Sequence, residues 1–302
     1  MSLNNQNHYT YTNNKTIPIV FIHGVGLNQN MWKPQINFFK NYSTLTYDLL
    51  GHGKTPFNKD KVSMNDYVEQ LSFLINYLNI DKFHLVGFSI GSLIALNFAA
   101  DSKNKLNSLT LIATTYQRNK KQRQEVIDRV NLAKSNNPIS KLALKRWFTD
   151  EYLKKNPKIY DEFMKILTKN SKDQKNFIKA YELFAYYNDD VEKIKNINTR
   201  TLVMTGSVDP GSTPEMSKKL SNDLKNSTYV EINNGKHLCG IECDGAAYHS
   251  SVSARDNDIG RQRVLEGLGW NIYRIWSTNW FENPKSELKK LDLYLKTLLK
   301  EN

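Results

Sequence analysis

Along the first 115 residues, short apolar runs alternate with longer segments whose apolar positions recur every three or four residues. Thr16 to Ile22, Tyr42 to Leu49, Phe83 to Phe88 and Ser108 to Ala113 are of the first kind and read as strands. Trp32 to Lys40, Met64 to Leu78 and Ile90 to Ala100 are of the second kind and read as helices; Leu71, Leu74, Ile75 and Leu78 share one helical face, and Ser63 stands where an N-cap belongs. This rhythm builds βαβ units and a largely parallel sheet. From Tyr116 to about Lys195 the pattern is helical throughout, broken at Pro138 and Pro157, and reads as an inserted helical lid. Strand Thr201 to Thr205, helix Pro214 to Leu224 and strand Thr228 to Ile232 then resume the rhythm. The expectation is an α/β fold with a doubly wound, mostly parallel sheet. Its core is split between residues 1–115 and 196–238 around a lid at 116–195.

The composition changes after about residue 239. Trp270, Trp276 and Trp280, with Arg255, Arg261, Arg263 and Arg274, crowd the remainder, so 239–302 reads as a foreign C-terminal segment. The net charge of +12 comes mostly from lysines spread among asparagines. That is the pattern of a solvated surface and lacks the arginine stripe or aromatic platform of a nucleic-acid binder. Met1 to Asn14 has neither a basic start nor an apolar run, and no stretch reaches the roughly 18 apolar residues of a membrane span. Two cysteines, Cys239 and Cys243, are too few for a disulfide framework. The chain is expected to be cytoplasmic.

Gly87-Phe88-Ser89-Ile90-Gly91 lies between an apolar strand and a helix, the context that makes G-x-S-x-G a nucleophile elbow. A tight turn there needs small neighbours and presents the Ser89 hydroxyl at a helix N-terminus, where developing negative charge is favoured. A serine needs a base, and the base a carboxylate to orient it. His8 lies in the polar leader, His84 within a strand, His23 and His52 in glycine loops and His249 in the tail; only His237 follows a terminal strand by a short loop. Asp209 follows the strand Thr201 to Thr205 through Gly206-Ser207-Val208, giving the order Ser, Asp, His. The strand before it closes on Ala113-Thr114-Thr115 and supplies no carboxylate. The amides of Val25, in His23-Gly24-Val25-Gly26, and of Ile90 are candidates for the oxyanion hole. Asp48 to Gly53 shapes a loop beside the site and is assigned no chemistry.

"FIHGVGLNQNMW" at 21–32, "YDLLGHGKTP" at 47–56, "LVGFSIGSLIA" at 85–95 and "MTGSVDPGSTPEM" at 204–216 give residues 16–238 a resemblance to the α/β-hydrolase superfamily, within it to esterases like 3-oxoadipate enol-lactonase. The resemblance implies cleavage of a small carboxylic ester or lactone through an acyl-enzyme, with no metal or organic cofactor. A carbon–carbon bond hydrolase is similar in motif. Epoxide hydrolases and dehalogenases carry aspartate where Ser89 stands. The lid should set specificity, with Trp147 and Phe148 as pocket wall and Phe88 as a further substrate-binding residue, and lysines on it would favour a substrate bearing a carboxylate.

The tail differs. "GIECDGAAYHSSVSARDNDIGRQRVLEGLGWNIYRIWSTNWFENP" at 240–284 resembles part of a restriction-endonuclease-like domain of the very-short-patch-repair type. On an extended strand Glu242 and Asp244 point to one face, which suits Mg²⁺, and with His249 they support an alternative reading as a DNA-binding or DNA-cleaving segment. That family also needs an aspartate from an earlier strand of its own domain, where this chain has hydrolase sequence. A zinc site from His237, Cys239, Cys243 and His249 has suitable ligand types, but on a strand the two cysteines lie about 13 Å apart. The simplest reading is a junction that replaces the hydrolase's final helix. The stripe Leu288, Leu291, Leu295 and Leu298 is a candidate substitute.

Overall fold

The apolar runs pair into one seven-stranded sheet of order β1-β3-β2-β4-β5-β6-β7. The computed structural model describes residues 7–101, 105–135, 140–172 and 174–232, with the single positions 286, 289, 290 and 293. Strands β2 (Ile19–Ile22), β3 (Thr44–Tyr47), β4 (Phe83–Phe88), β5 (Leu106–Ile112), β6 (Thr201–Gly206) and β7 (Ser227–Ile232) run parallel. All four residues of β3 are buried, which requires cover on both faces.

The chain passes from β2 outward to β3 and then returns to the other side of β2 with β4. Crevices at the carboxyl ends of strands open at such a reversal. Here it separates the loop after Ile22 from the turn after Phe88. Helix α3 (Ile90–Asp101) follows that turn, buried without a break from Ile90 to Leu96, as a helix apolar on all sides must be. Helix α2 (Met64–Tyr77) is amphipathic and buries Tyr67, Gln70, Leu71, Leu74 and Ile75; Ser63 caps it in a reciprocal box with Asp66. The expected helix over Trp32 to Lys40 is shorter, a 3-10 turn at Gln29–Trp32 leading into α1 (Lys33–Phe38), because the Asn28 side chain caps the earlier turn.

One strand was not expected. Tyr9–Thr12 forms β1, antiparallel to β3, inside the segment read as a polar leader. Its Tyr-Thr alternation gives a half-buried, exposed, half-buried, exposed pattern. The strand read as Tyr42 to Leu49 contracts to Thr44–Tyr47 because the chain turns at Asp48, whose amide donates to the His8 carbonyl at 2.9 Å. The Asp48 carboxylate accepts from the amides of Gln29 and Lys54, each at 2.9 Å, and lies 2.9 Å from His8 Nδ1. It thus ties β1, the turn before α1 and the glycine loop together. Gln70 holds the same loop from α2, donating to the Asp48 carbonyl and accepting from the Leu50 amide.

His23 and His52 are buried behind this loop with ring centroids 5.3 Å apart. His23 Nε2 accepts from the Leu49 amide at 2.9 Å, so its proton sits on Nδ1, which donates to the Gly24 carbonyl at 2.8 Å. Burial lowers the pKa of His23 and, with the neighbouring His23 ring, pushes His52 down to about 3.

Between β5 and β6 the chain forms α4 (Lys120–Lys134), α5 (Ser140–Trp147), α6 (Asp150–Lys155), α7 (Pro157–Lys172), α8 (Gln174–Tyr186) and α9 (Val191–Lys195). Helix α4 packs on α8 and α5 on α7. Pro157 breaks the pattern by opening α7, where its missing amide costs nothing; Pro138 lies outside the described residues. Helix α10 (Pro214–Asp223) packs on β6 and β7. No described helix is long and apolar enough to cross a membrane.

The two neutral imidazoles make stability depend on pH. Between pH 6.5 and about 3 the unfolded chain binds protons that the folded one refuses at His52, so stability is complete above 6.5 and is lost as pH falls. Urea midpoints measured from pH 7 to pH 4 will decline, and His52→Gln will flatten the decline by up to about 1.4 kcal/mol per pH unit.

Candidate active site

Ser89 joins β4 to α3 with φ of 56°, in the left-handed region that non-glycine residues rarely enter. Its amide donates to the Ile112 carbonyl at 2.9 Å, and its own carbonyl accepts from the Ser92 amide at 2.9 Å. The glycines on either side are required by contact. A Cβ on Gly87 would overlap the Gly91 carbonyl, and one on Gly91 would overlap the carbonyls of Ile22 and His23. The elbow therefore packs directly on the loop after β2, which carries Val25. At the start of α3 the Ile90 amide has no intrahelical carbonyl to reach, and among the described residues the Val25 amide donates to no backbone carbonyl.

Asp209 lies at the same edge of the sheet, three residues after β6. It is buried, and one carboxylate oxygen accepts from the amides of Gly211 at 2.8 Å and Ser212 at 3.0 Å. Its loop is anchored in turn. The Thr205 hydroxyl donates to the Ser212 carbonyl at 2.6 Å, and the Ser212 hydroxyl to the Ala113 carbonyl at 2.7 Å, so the ends of β5 and β6 are held in register. The residue read as the base, His237, lies outside the described residues. So do Glu242, Asp244, Cys239, Cys243 and His249. Among the described residues no three His, Cys, Asp or Glu side chains group as a metal site.

Ser89 opens into a cavity of about 70 Å³, whose wall includes Val25, Phe88, Trp147, Leu167 and Phe184. That is room for about two water molecules, far below the size of an ordinary ligand site. Phe88 and Trp147 both border it, whereas Phe148, also read as pocket wall, is not in its lining and stacks on Tyr152. Two cations that were not singled out, Arg129 and Arg146, border it as well. Arg129 sits in line with the buried Val126, Val130 and Ala133 of α4, a charged residue inside an apolar stripe. That position was the available signal. The lysines considered instead belong to helices whose charged faces are mostly open to solvent.

The family model of the alpha/beta hydrolase fold matches residues 17–242. A restriction-endonuclease family model matches residues 221–295, so the two share 221–242. The chain is 29% identical to (E)-2-((N-methylformamido)methylene)succinate hydrolase of Acinetobacter baylyi over 79% of its own length and 90% of that protein's. It is 26% identical to 3-oxoadipate enol-lactonase 1 of the same organism over 74% and 83%. Its fold superposes on the crystal structure of the enol-lactonase of Burkholderia xenovorans with a TM-score of 0.71, at 21% identity, covering 87% of this chain and 96% of that one. With three quarters of its residues matched in order, a parallel sheet reversed at β2 and β4 and a strained serine at that reversal, the chain belongs to the α/β-hydrolase fold family, as an enzyme of the hydrolase class whose C-terminal segment resembles a restriction endonuclease.

Proposed function

We propose that the protein is a serine hydrolase that cleaves a small carboxylic ester or lactone through an acyl-enzyme. The observation that carries this reading is the left-handed Ser89 in the wall of a small cavity, with the buried Asp209 anchored at the same sheet edge. Ser89 Oγ passes its proton to His237 and attacks the carbonyl carbon; Asp209 orients the imidazole and stabilises it once charged. The amides of Val25 and Ile90 receive the oxyanion. Collapse breaks the C–O bond and the leaving oxygen takes the proton from His237, departing from an ester or staying tethered in an opened lactone. Water, deprotonated by His237, then releases the carboxylic acid and restores Ser89. The relative named as an enol-lactonase supports the lactone alternative.

The helices between β5 and β6 serve as the lid. A 70 Å³ cavity admits an ester only if its wall yields, and Trp147 on α5, packed edge-on against Phe163 of α7, is the largest side chain in that wall. The DNA-cleaving alternative is favoured by the restriction-endonuclease match alone. Plasmid nicking that needs Mg²⁺ and stops in Glu242→Ala is its signature, and absence of nicking removes it.

Release of p-nitrophenol from short acyl esters should fall about 10⁶-fold in Ser89→Ala, with loss of fluorophosphonate labelling; equal rates in the two proteins would refute the nucleophile. Trp147→Ala should raise kcat/KM for p-nitrophenyl octanoate relative to the butyrate by about tenfold, since each accommodated methylene is worth about 0.8 kcal/mol. Its cost in stability should be about 3 kcal/mol, read by urea denaturation.

A further inference from the structure

The parallel strands β2 to β7 all begin at one edge of the sheet, the edge away from Ser89, and a cation precedes each of them by one to four residues. In spatial order along the edge these are Lys40, Lys15, Lys82, Lys105, Arg200 and Lys225. All six are exposed. In the sequence they lie far apart among asparagines, and only the parallel topology gathers them into a row.

Backbone hydrogen bonds hold the turns of the row side by side. The Ile19 amide donates to the Ser43 carbonyl and the His84 amide to the Pro18 carbonyl, each at 2.9 Å. Farther along, the amides of Phe83, Leu109 and Thr201 donate to the carbonyls of Lys105 at 3.2 Å, Arg200 at 3.0 Å and Asn226 at 2.8 Å. With neighbouring strands about 4.8 Å apart, the row is about 24 Å long.

Its charge is not cancelled within the fold. Among the described residues none of the six cations forms an ion pair with an Asp or Glu. Lys105 and Lys225 hydrogen-bond to the side-chain amides of Asn76 and Asn196, which carry no charge. Asp81, next to Lys82, is the one acidic residue in these turns among the described residues, and Asp101 at the end of α3 is paired with Lys193. The helices that end at this edge offset the row only in part, since a helix C-terminus carries roughly half a negative charge at most. His84, at the start of β4, registers the field: burial and the positive charge of Arg200 hold its pKa below the usual imidazole value.

We infer that this edge binds the phosphate backbone of duplex DNA, with Lys40, Lys15, Lys82, Lys105, Arg200 and Lys225 as the contacts. A line of cations matches a line of phosphates better than it matches the plane of a membrane, and duplex DNA presents about one negative charge per 1.7 Å of its axis. The restriction-endonuclease match points to the same class of partner. It takes in Lys225 and β7, while the other five cations stand on hydrolase strands outside it. Binding of this kind reads phosphates and not bases, so it is steeply salt-dependent. It does not rest on the serine-hydrolase reading.

The test uses the full-length protein and a fluorescein-labelled duplex of about 20 base pairs, longer than the row, followed by anisotropy. For the wild type, the logarithm of the binding constant should fall against that of salt concentration with a slope of about −5. Replacing the central three together, Lys82→Gln, Lys105→Gln and Arg200→Gln, should weaken binding at least about thirtyfold and bring the slope to about −3. An equal loss of charge elsewhere on the surface, Lys121→Gln, Lys158→Gln and Lys219→Gln together, should weaken it by less than about threefold. Both triple variants should keep the wild-type urea midpoint and any p-nitrophenyl butyrate activity, because the six residues of β4 put the edge about 20 Å from Ser89. Absence of binding by the wild type, binding unaltered in the first variant or an equal loss in both overturns the inference. Binding to phosphatidylserine vesicles without binding to the duplex also overturns it, in favour of a lipid surface.

Discussion

The close approach of α3 to the end of β2 is the contact on which the site is built. Gly91 brings the first turn of that helix against the carbonyls of Ile22 and His23, and Gly87 lets the same turn fold back on its own strand. With both side chains missing, the chain can pass through the left-handed conformation at Ser89 and still keep β2 and β4 paired from Ile19 to Ile22. One steric condition therefore sets three things together: the placing of Ser89 in the cavity wall, the position of the Ile90 amide and the nearness of the loop that carries Val25. Backbone strain of this kind costs on the order of 1–3 kcal/mol and survives only where the surroundings over-determine it. Here they do, through the Ile112 carbonyl on one side and the buried length of α3 on the other.

The electrostatics of the two halves contrast. Behind the crevice, His23 and His52 are kept neutral by burial and their rings are committed to backbone groups, so they serve packing and loop geometry. In front of it, Arg129 and Arg146 keep a charge that burial opposes at Arg146. Asp48 is the counterpart on the acid side, a buried carboxylate whose oxygens are taken up by two amides and the His8 ring. At Asp48 the buried charge is satisfied within the fold, whereas at Arg146 burial is offset only in part, by Tyr181 and Asp209.

Most of the core was legible in the sequence because each element announces itself locally. Successive residues of β2, β3 and β6 are buried, the stripe of α2 repeats at helical spacing, and the elbow is a five-residue motif with its own steric logic. The places of Ser89 and Asp209, just past the ends of β4 and β6, were readable for the same reason. What escaped depends on distant partners. Four residues alternating tyrosine and threonine become a strand only because β3, more than thirty positions further on, offers an edge. Arg129 and Arg146 border the cavity only because α4 and α5 are both brought over Ser89. Neither fact is a property of any window of sequence.

Strand β1 also decides how this sheet meets other molecules. An unprotected sheet edge is a template for another chain's backbone, and natural folds blunt it with short or polar strands. By lying antiparallel on β3, Tyr9–Thr12 replaces a fully buried strand with one of four residues, two of them exposed threonines, as the outermost surface on that side. Loss of residues 7–12 would uncover β3 as a hydrogen-bonding edge and leave Asp48 without the His8 ring. Residues 7–12 thus guard the protein against growing its sheet into a neighbour.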